Sequence, residues 1–594
     1  MAKDNLADLP DDIFLDIVEH LQSARDVARL GATSRRANDL IERDGWVPFV
    51  KRHFPTVSLP PVEPGQWRGV ADRLTYLDKC WEKRGFALSE YTERKQSGHG
   101  GVKKQSVAPS TVVHASLLAE EQKECVAWGA GENLVVQTMP CHGRNAHKKR
   151  RWHEQHGASQ GYSPGTGDIT SLSIIDRQPN PQIAVGRANG SLRLQSLRHG
   201  TFGQAQQELD LPVTKTLRTQ GPSLPSPGQS AVSWTEWNSQ ADLLATGQSS
   251  TVALFDLKDV EADTLAPVVT EKMCTNVGGD LSLIRSIKFI NQDTLAVALG
   301  ASAKPLRCAK ITPTGLVFTD MNEGNWKIRD TLRLHNGPEM GEKTTVRAIE
   351  PVGDGRHIRT PSAYDAVYCN RLLPYEAGSS LLVYGMERFV AGSNSRPNVF
   401  FFDFRQPKAY HWSAAAACSS EAPYPPPPDN AFVKNGNGVL EHGLAKCRPE
   451  ERKMCLWHRS SLSNTFRPDA TLMIGDRQYD RVHTLASASA TSPSFWVGLR
   501  GGVFESRFML AEDAAVKNVK GSAPPSWQVG KPEPKITLVE TGMGMRYADD
   551  WSDSRWAVNV ADWEFRFRKG RVKERERRAR LDPSVSRFKT REGA

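Results

Sequence analysis

Residues 6–55 read LADLPDDIFLDIVEHLQSARDVARLGATSRRANDLIERDGWVPFVKRHFP and predict four short helices in one stretch. In the first helix, apolar side chains recur at helical spacing, at Ile13, Ile17 and Leu21. Pro10 lies near the start of this helix, where its missing N–H costs least. The three further helical runs contain Val27 with Leu30, Leu40 with Ile41, and Trp46 with Phe54. The stretch therefore predicts a small all-α bundle.

The bundle has more apolar side chains than it can bury. A domain of about fifty to sixty residues hides only roughly 60% of the surface that its unfolded chain exposes. An apolar stripe left on the surface marks a site for a partner. The alternative is that the same leucines and isoleucines form the core of an ordinary helical cap.

The stretch resembles the F-box family at many positions that occur in a fixed order. The matching residues are Leu9, Pro10, Asp12, Ile13, Ile17, Leu21, Asp26, Leu30, Arg35, Leu40, Ile41, Trp46 and Phe54. It departs from the family at Gly31-Ala32, where larger apolar residues are common. In that family the motif binds Skp1, which links it to a cullin-RING ubiquitin ligase. The resemblance implies a Skp1-binding surface formed by Leu9, Pro10, Ile13, Ile17, Leu21, Leu30, Leu40 and Ile41.

The chain of 594 residues predicts two or more domains, because a single core stops growing at about 250–300 residues. Apolar residues at helical spacing from Trp67 to Arg84 predict a connector helix. From residue 111 onwards, short β-prone runs replace the helical pattern. The predicted bounds are an F-box at 5–55, a connector helix and linker at 56–95, an all-β domain with long inserts at 111–563, and a basic tail at 564–594.

The β-prone runs repeat one order: a short strand, a strand ending in small residues and Gly, a tight turn, and an apolar strand. Residues 231–257, AVSWTEWNSQADLLATGQSSTVALFDL, are the most regular unit, and Asn189-Gly190 predicts a hairpin turn in another. The units resemble degenerate WD40 blades, which implies a β-propeller of six or seven blades. Residues 556–560 would complete a seventh blade by pairing near the chain start. The alternative is a β-sandwich or two smaller β domains.

Long inserts rich in Pro, Gly and Ser interrupt the repeats, at about 198–229, 259–281, 351–380 and 413–450.

Three arginines in the β domain are candidates for binding a target protein. Arg285 and Arg347 occupy equivalent places in Ile-Arg-Ser-Ile and Val-Arg-Ala-Ile, and Arg500 precedes a Gly-Gly turn. They resemble arginines of F-box/WD-repeat adaptors that bind phosphorylated segments, since a guanidinium fits phosphate oxygens. The alternative is that each arginine pairs with an acidic residue or faces solvent.

The net charge of +10 is concentrated at the end of the chain, where residues 565–594 hold twelve Lys and Arg against four Asp and Glu. Such a tail is typical of an import signal, of a contact with RNA or an acidic partner, or of a solvated segment. A second basic cluster, His147–Arg151, is interpreted as an import signal or a solvated loop.

Neither catalysis nor a bound cofactor is predicted. The phosphate-loop-like stretch at 337–344 is one residue short of the required spacing, and His442, Cys447, Cys455 and His458 match no common zinc module. We therefore expect no catalytic residue, no metal and no cofactor. No run of eighteen apolar residues or secretion signal is present, and nine scattered cysteines favour reduced thiols, so no membrane contact and a nuclear or cytoplasmic location are expected.

The sequence therefore predicts the substrate-recognition subunit of an SCF-type E3 ubiquitin ligase. The F-box would bind Skp1 and, through it, the cullin and RING subunits, and the propeller would bind a target protein whose recognised segment could be phosphorylated. The alternative is a nuclear scaffold or RNA-associated protein that uses the β domain and the basic tail without ubiquitin transfer.

Overall fold

The computed structural model describes the helical start and most strands of the β-rich remainder. The described residues are 9–54, 57, 62–82, 85–93, 110–141, 150–198, 205–209, 231–258, 264–273, 283–300, 306–319, 348–351, 367–369, 377–384, 388–393, 397–403, 432–434, 440–442, 470–474, 481–508, 527–529, 533–536, 538–540 and 545–546. The basic tail, residues 556–560 and Arg347 lie outside the described residues.

The predicted helices of the N-terminal bundle are confirmed. They are α1 (Asp11–His20), α2 (Ala24–Gly31), α3 (Arg35–Leu40), a π-helical turn (Ile41–Gly45) and α4 (Trp46–His53). Ser23 and Ser34 cap α2 and α3, because their side chains accept hydrogen bonds from the backbone N–H groups of Asp26 and Ala37. A short 3₁₀ turn (Pro64–Gln66) leads into the predicted connector helix, α5 (Trp67–Glu82).

The strand that follows α5, β1 (Gly85–Glu93), belongs to the last sheet of the molecule and is described with it below. Sheet 1 contains β2 (Val112–Leu118), β3 (Lys123–Ala130), β4 (Asn133–Pro140) and β5 (Arg151–Gln155). Sheet 2 contains β6 (Ile169–Ile175), β7 (Gln182–Arg187), β8 (Leu192–Ser196), β9 (Ala205–Leu209) and, parallel to β9, β13 (Thr264–Leu265). Sheet 3 contains β10 (Val232–Asn238), β11 (Leu243–Gln248), β12 (Thr251–Asp256) and β14 (Val269–Lys272). Sheet 4 contains β15 (Leu283–Phe289), β16 (Thr294–Gly300), β17 (Leu306–Thr312) and β18 (Gly315–Thr319).

Four further sheets lie in the described part of the β-rich region, and three of them are numbered here. Sheet 5 contains β19 (Ile349–Pro351) and β20 (Val367–Cys369). Sheet 6 contains β21 (Ala377–Tyr384), β22 (Arg388–Ser393), β23 (Asn398–Asp403), β26 (Ala470–Met473), β32 (Leu538–Glu540) and β33 (Met545–Arg546), and β24 (Phe432–Lys434) pairs separately with β25 (Leu440–His442). Sheet 7 contains β27 (Val482–Ala486), β28 (Ser494–Leu499), β29 (Gly502–Phe508), β1, β30 (Trp527–Val529) and β31 (Glu533–Ile536).

The first strands of successive sheets are neighbours. β2 contacts β6, β6 contacts β10, β10 contacts β15, β15 contacts β19, β19 contacts β21, β21 contacts β27, and β27 contacts β2. The succession of sheets therefore returns to its starting point. Apolar clusters fill the spaces between neighbouring sheets, as between sheets 3 and 4, where Ala245 and Leu254 pack with Ile284 and Val297.

The strand that joins the start of the chain to the last sheet lies in the segment predicted as a linker. β1 pairs antiparallel with β29 along its length, from Phe86 opposite Phe508 to Thr92 opposite Gly502. The predicted range 56–95 therefore contains a strand besides its helix. This strand is not predictable from its sequence alone, because the short run Phe86-Ala87-Leu88 directly follows a strong helical pattern and carries little signal of its own.

Parts of the predicted inserts are strands as well. β9 lies within 198–229 and β14 within 259–281, and each pairs beyond the third strand of its sheet. The residues of β14 are exposed or half-buried, so this strand lacks the apolar pattern by which the other strands were identified. In contrast, the turn predicted at Asn189-Gly190 is confirmed, since it joins β7 to β8 with Gly190 at φ +88°.

Helix α5 attaches the helical bundle to the β-rich region. One apolar cluster runs from Phe14 and Val18 in α1 to Phe401 and Phe508 in sheets 6 and 7. Trp81, near the end of α5, lies at its centre and stacks on Phe508 with ring centroids 5.7 Å apart. An ion pair between Asp78 of α5 and the buried Arg388 of β22 adds a polar contact to the same junction.

Candidate functional site

The first candidate site is an apolar surface at the start of the helical bundle. Pro10 is exposed, Leu9 and Ile17 are half-buried, and the Ile13 side chain is one of few large apolar groups left open, at 48% exposure. On the adjacent face of α1, Phe14 and Val18 are buried in the core. Helix α1 therefore has one apolar face for the core and a second one that the described residues leave partly exposed.

The other predicted docking residues lie deeper. Leu21 and Leu30 are half-buried and pack against the core, while Leu40 and Ile41 are 5% and 2% exposed. Leu40 and Ile41 therefore face inward and are not part of the exposed surface of the bundle, and their contact with Skp1 stays a prediction. The uncovered surface consists of Leu9, Pro10, Ile13 and Ile17, and we call it the α1 ridge.

The second candidate site is an open cavity of about 580 Å³ that is lined by the first strands of six sheets. Its wall includes residues of β2, β6, β10, β15, β19 and β27. The charged residues on the wall are Asp168, Glu236, Arg285, Lys288 and Arg481. The described wall therefore holds three basic and two acidic residues. Within this set, Lys288 pairs with Glu236 at 3.2 Å.

A recurring β-bulge places one residue of each of four first strands on the cavity wall. The pairing register shifts between Ile169 and Ser171, Val232 and Trp234, Ile284 and Ser286, and Val482 and Thr484. The residues skipped by these shifts, Thr170, Ser233, Arg285 and His483, all line the cavity. A bulge re-aims a side chain, so it presents these four positions to the same space.

A glycine accompanies each of these bulges on the paired second strand. Gly186, Gly247 and Gly498 lie opposite the residue that follows the bulge. Gly300 lies opposite Leu283, before the bulge at Arg285. A Cβ at Gly300 would lie 2.8 Å from Nε of Arg285, and one at Gly498 would lie 2.4 Å from the carbonyl oxygen of Thr111. A side chain at these glycines would collide with the bulged residue or with the neighbouring sheet. This explains why the second strand of each repeat ends in small residues and Gly.

Of the three predicted target-binding arginines, Arg285 and Arg500 lie in described residues. Arg285 lines the cavity and is exposed. Arg500 is half-buried and is not one of the lining residues, but it forms a β-bridge with Ser110, which does line the cavity. Arg347 lies outside the described residues. Arg481, which the sequence analysis missed, lines the cavity directly before β27. The sequence feature that could have identified Arg481 is its position directly before Val482, where a predicted first strand begins.

His114 on β2 lies in the cavity wall and is uncharged at neutral pH. Its Nδ1 accepts a hydrogen bond from the backbone N–H of Ile174 at 3.2 Å. Burial of the ring, with a smaller effect from nearby Lys288, lowers the pKa of His114 to about 3. The positive charge of the wall is therefore carried by Arg285, Lys288 and Arg481.

The second basic cluster is partly a structural element. Arg150 is 4% exposed and pairs with Glu505, which is 2% exposed, at 2.6 Å, and it also donates to the hydroxyl of Tyr91. Arg150 is therefore not part of a solvated loop, and Arg151 begins β5. The reason is that Glu505 and Tyr91, distant in sequence, form a buried site for one guanidinium between sheets 1 and 7. The import-signal interpretation stays a prediction, since residues 147–149 lie outside the described residues.

Among the described residues, no helix is long and apolar enough to cross a membrane. The same part of the chain holds no group of three or more His, Cys, Asp or Glu side chains arranged to bind a metal ion. Among the described residues, Cys80, Cys125, Cys141 and Cys308 form no disulfide bond.

The comparison with known families bears on the helical bundle alone. No curated protein matches this chain. The F-box-like family model matches residues 6–47, which span α1 to the start of α4 and include the whole α1 ridge. F-box domains are typically non-catalytic adaptors, and their presence suggests Skp1 binding and an SCF adaptor role in general. The chain carries an F-box-like domain at its N-terminus, followed by a β-rich region of several antiparallel sheets.

Proposed function

We propose that this protein is a substrate-recognition subunit of an SCF-type E3 ubiquitin ligase. The helical bundle binds Skp1 through the α1 ridge, and the β-rich region, arranged as a degenerate propeller, binds the target protein. The chain contributes no chemistry of its own, since holding a target near the ligase raises the effective concentration of its lysines. The alternative of a nuclear scaffold depends on the basic tail, which lies outside the described residues.

The observation that carries this proposal is the exposure of the α1 ridge inside the F-box-like match. An isoleucine that is 48% exposed, next to an exposed proline, costs free energy in an isolated protein and is stabilised when a partner covers it. The opposite reading, in which the bundle is only a helical cap, requires Ile13 to lie against the β-rich region.

The order of the sheets supports the propeller. Contacts between first strands run from sheet 1 to sheet 7 and back to sheet 1, and the clusters between sheets bury faces that no single sheet could bury alone. In a radial arrangement of sheets, the first strand of each sheet lies next to a central space. The cavity, which the first strands of six sheets line, corresponds to this space. The two-stranded sheet 5 takes the place of one blade in this arrangement.

The Skp1 proposal is tested by changing Ile13 to Glu in the full-length chain and measuring Skp1 affinity by calorimetry or interferometry. A charge in the centre of an apolar interface should weaken binding at least about tenfold, because it is desolvated without a partner. The matched control is Val317→Glu, since Val317 is 53% exposed on β18, far along the chain. Equal affinities for the two variants, or a wild-type chain that does not bind Skp1, would refute the proposal.

For the target, we propose that the cavity binds an acidic or phosphorylated segment. Arg285 and Arg481 lie on its wall with Lys288, and guanidinium groups bind carboxylates and phosphates by paired hydrogen bonds. The cavity volume of about 580 Å³ lies within the range of sites that hold a few side chains.

A peptide array that contains each sequence with and without phosphothreonine tests this second step. We expect wild-type protein to select phosphorylated or acidic peptides, and Arg285→Gln and Arg481→Gln to lose that selection. Arg198→Gln is the matched control, because Arg198 is an exposed arginine that donates to the Pro179 carbonyl oxygen outside the cavity lining. Binding that ignores peptide charge, or that is equal in all variants, would contradict the proposal.

A further inference from the structure

The start of α1 is held by a residue from another helix. The residue before α1 is Pro10, which has no side chain able to cap a helix, and no side-chain cap bond is present. Instead, Nη2 of Arg36 in α3 donates to the carbonyl oxygen of Leu9 at 2.7 Å and to Oδ1 of Asp11 at 2.6 Å. One guanidinium therefore contacts both sides of Pro10, from a position 25 residues beyond Asp11.

We propose that Arg36 is a positioning residue for partner binding, which holds the Leu9–Asp11 segment so that the α1 ridge is already formed before the adaptor arrives. This inference rests on the proposed Skp1-binding function. Arg36 itself is not part of the apolar ridge, and it acts by fixing the backbone that carries Leu9 and Pro10.

The physical argument is one of preorganisation. A segment that must be ordered on binding loses conformational entropy at that moment, which weakens the complex, whereas a segment ordered in the free protein does not. The carbonyl of Leu9 lies immediately before Pro10, so a hydrogen bond to this oxygen fixes the peptide that orients both ridge residues. Arg43 adds a weaker constraint, with its Nη2 3.9 Å from Oδ2 of Asp11.

The size of the effect is limited by exposure. The side chains of Arg36 and Asp11 are 48% and 54% exposed, so solvent and salt weaken their attraction, and such surface pairs contribute little to global stability. We therefore expect Arg36→Gln to leave the melting temperature almost unchanged. The same substitution should weaken Skp1 binding by about three- to tenfold, the range of one or two hydrogen bonds.

The experiment compares the full-length wild type with Arg36→Gln, Arg36→Lys and Arg68→Gln, using purified Skp1 as the probe. Arg68→Gln is the matched control, because Arg68 forms a similarly exposed pair with Glu42 at 3.0 Å but does not contact the Leu9–Asp11 segment. We expect Arg68→Gln to bind like wild type and Arg36→Lys, which keeps a donor at shorter reach, to be intermediate. Hydrogen exchange should be faster at the amides of the first turn of α1 in Arg36→Gln alone.

A double-mutant cycle separates positioning from general damage. In an Ile13→Ala background the ridge is already impaired, so Arg36→Gln should weaken Skp1 binding less than it does in the wild type. Wild-type binding with an unchanged Arg36→Gln affinity would overturn this inference and leave the proposed function intact. A wild-type chain that does not bind Skp1 would overturn both. An equal loss in Arg36→Gln and Arg68→Gln would overturn the inference.

Discussion

At the scale of single residues, the most consequential group is the buried charge cluster between sheets 1 and 7. Glu505 accepts from both Arg150 and Arg507, and Ser494 also donates to it. Burial alone would raise the pKa of Glu505, but the two arginines outweigh it and hold the pKa well below the ordinary value of 4.5. The carboxylate is therefore ionised at every pH at which the protein is expected to fold.

Replacing Glu505 by Gln should destabilise the protein by about 3–5 kcal/mol, because Arg150 then remains charged, buried and without its main partner. The double variant Arg150→Met/Glu505→Leu should lose less stability than Glu505→Gln, because it leaves neither of these two charges buried without its partner. Because the folded-state pKa of Glu505 is lowered, the advantage of wild type over Glu505→Gln should shrink as the pH falls below about 4.5. Urea denaturation at pH 7 and pH 4 measures both effects, and a constant difference between the two pH values would contradict this account.

Glu124 on β3 shows the opposite behaviour. Burial raises its pKa to about 7, although a hydrogen bond with Ser492 lowers it in part. Since the folded-state pKa is raised above the ordinary value, wild type should lose stability between about pH 5 and pH 8, by about 2–3 kcal/mol relative to Glu124→Gln. The control Glu120→Gln, at an exposed position, should follow wild type. Parallel pH profiles for wild type and Glu124→Gln would show that this carboxyl is not protonated in the fold.

At the scale of elements, α5 decides how the two parts of the chain are joined. Its buried side contains Leu74, Leu77 and Trp81, and Trp81 meets aromatic rings of three strands, at Phe86, Phe401 and Phe508. Arg388 lies over the same indole at 5.1 Å. A helix held by such contacts fixes the direction from the α1 ridge to the cavity, so a bound target would be presented at a defined place.

Trp81→Ala should destabilise the full-length protein by about 3–5 kcal/mol, because it leaves a large cavity between α5 and sheets 6 and 7. Trp67→Ala changes a half-buried residue at the start of the same helix and should destabilise the protein clearly less. Thermal unfolding and limited proteolysis around α5 are the measurements. If both substitutions had the same small effect, α5 would not be the junction described here.

At the scale of the whole molecule, β1 ties the beginning of the chain to its last described sheet. It pairs with β29 on one side and with β30 and β31 on the other, while Tyr91 joins a cluster with Trp128, Trp496 and Trp527 that spans sheets 1 and 7. In the chain, the helical domain therefore leads into β1, a strand of sheet 7 whose Tyr91 also packs against residues of sheet 1. Sheet 7 therefore contains a strand whose residues precede their partners in β29 by more than four hundred positions.

Leu88→Pro should lower the melting temperature of the whole protein, because Leu88 lies opposite Ser506 in the interior of sheet 7 and proline removes a donor there. The same substitution at Thr270, which is exposed on the edge strand β14, should have a smaller effect. Calorimetry follows both variants, with Skp1 binding as a second readout. A Leu88→Pro protein as stable as Thr270→Pro would show that β1 is dispensable for closing the β-rich region.

The sequence by itself determined the helical bundle, the connector helix and most strands with apolar residues on one or both faces, since these depend on local spacing, caps such as Ser34 and turns such as Asn189-Gly190. Only the tertiary structure decided which apolar residues are covered: Ile13 and Ile41 have the same chemistry, yet one is exposed and the other buried. It also decided that Arg150 is an internal ion-pair partner, that β1 belongs to sheet 7, and that Arg481 shares a cavity with Arg285. The physical reason is that burial, ion pairing and cavity walls depend on residues that are distant in sequence, whereas helical spacing and turn chemistry depend on neighbours.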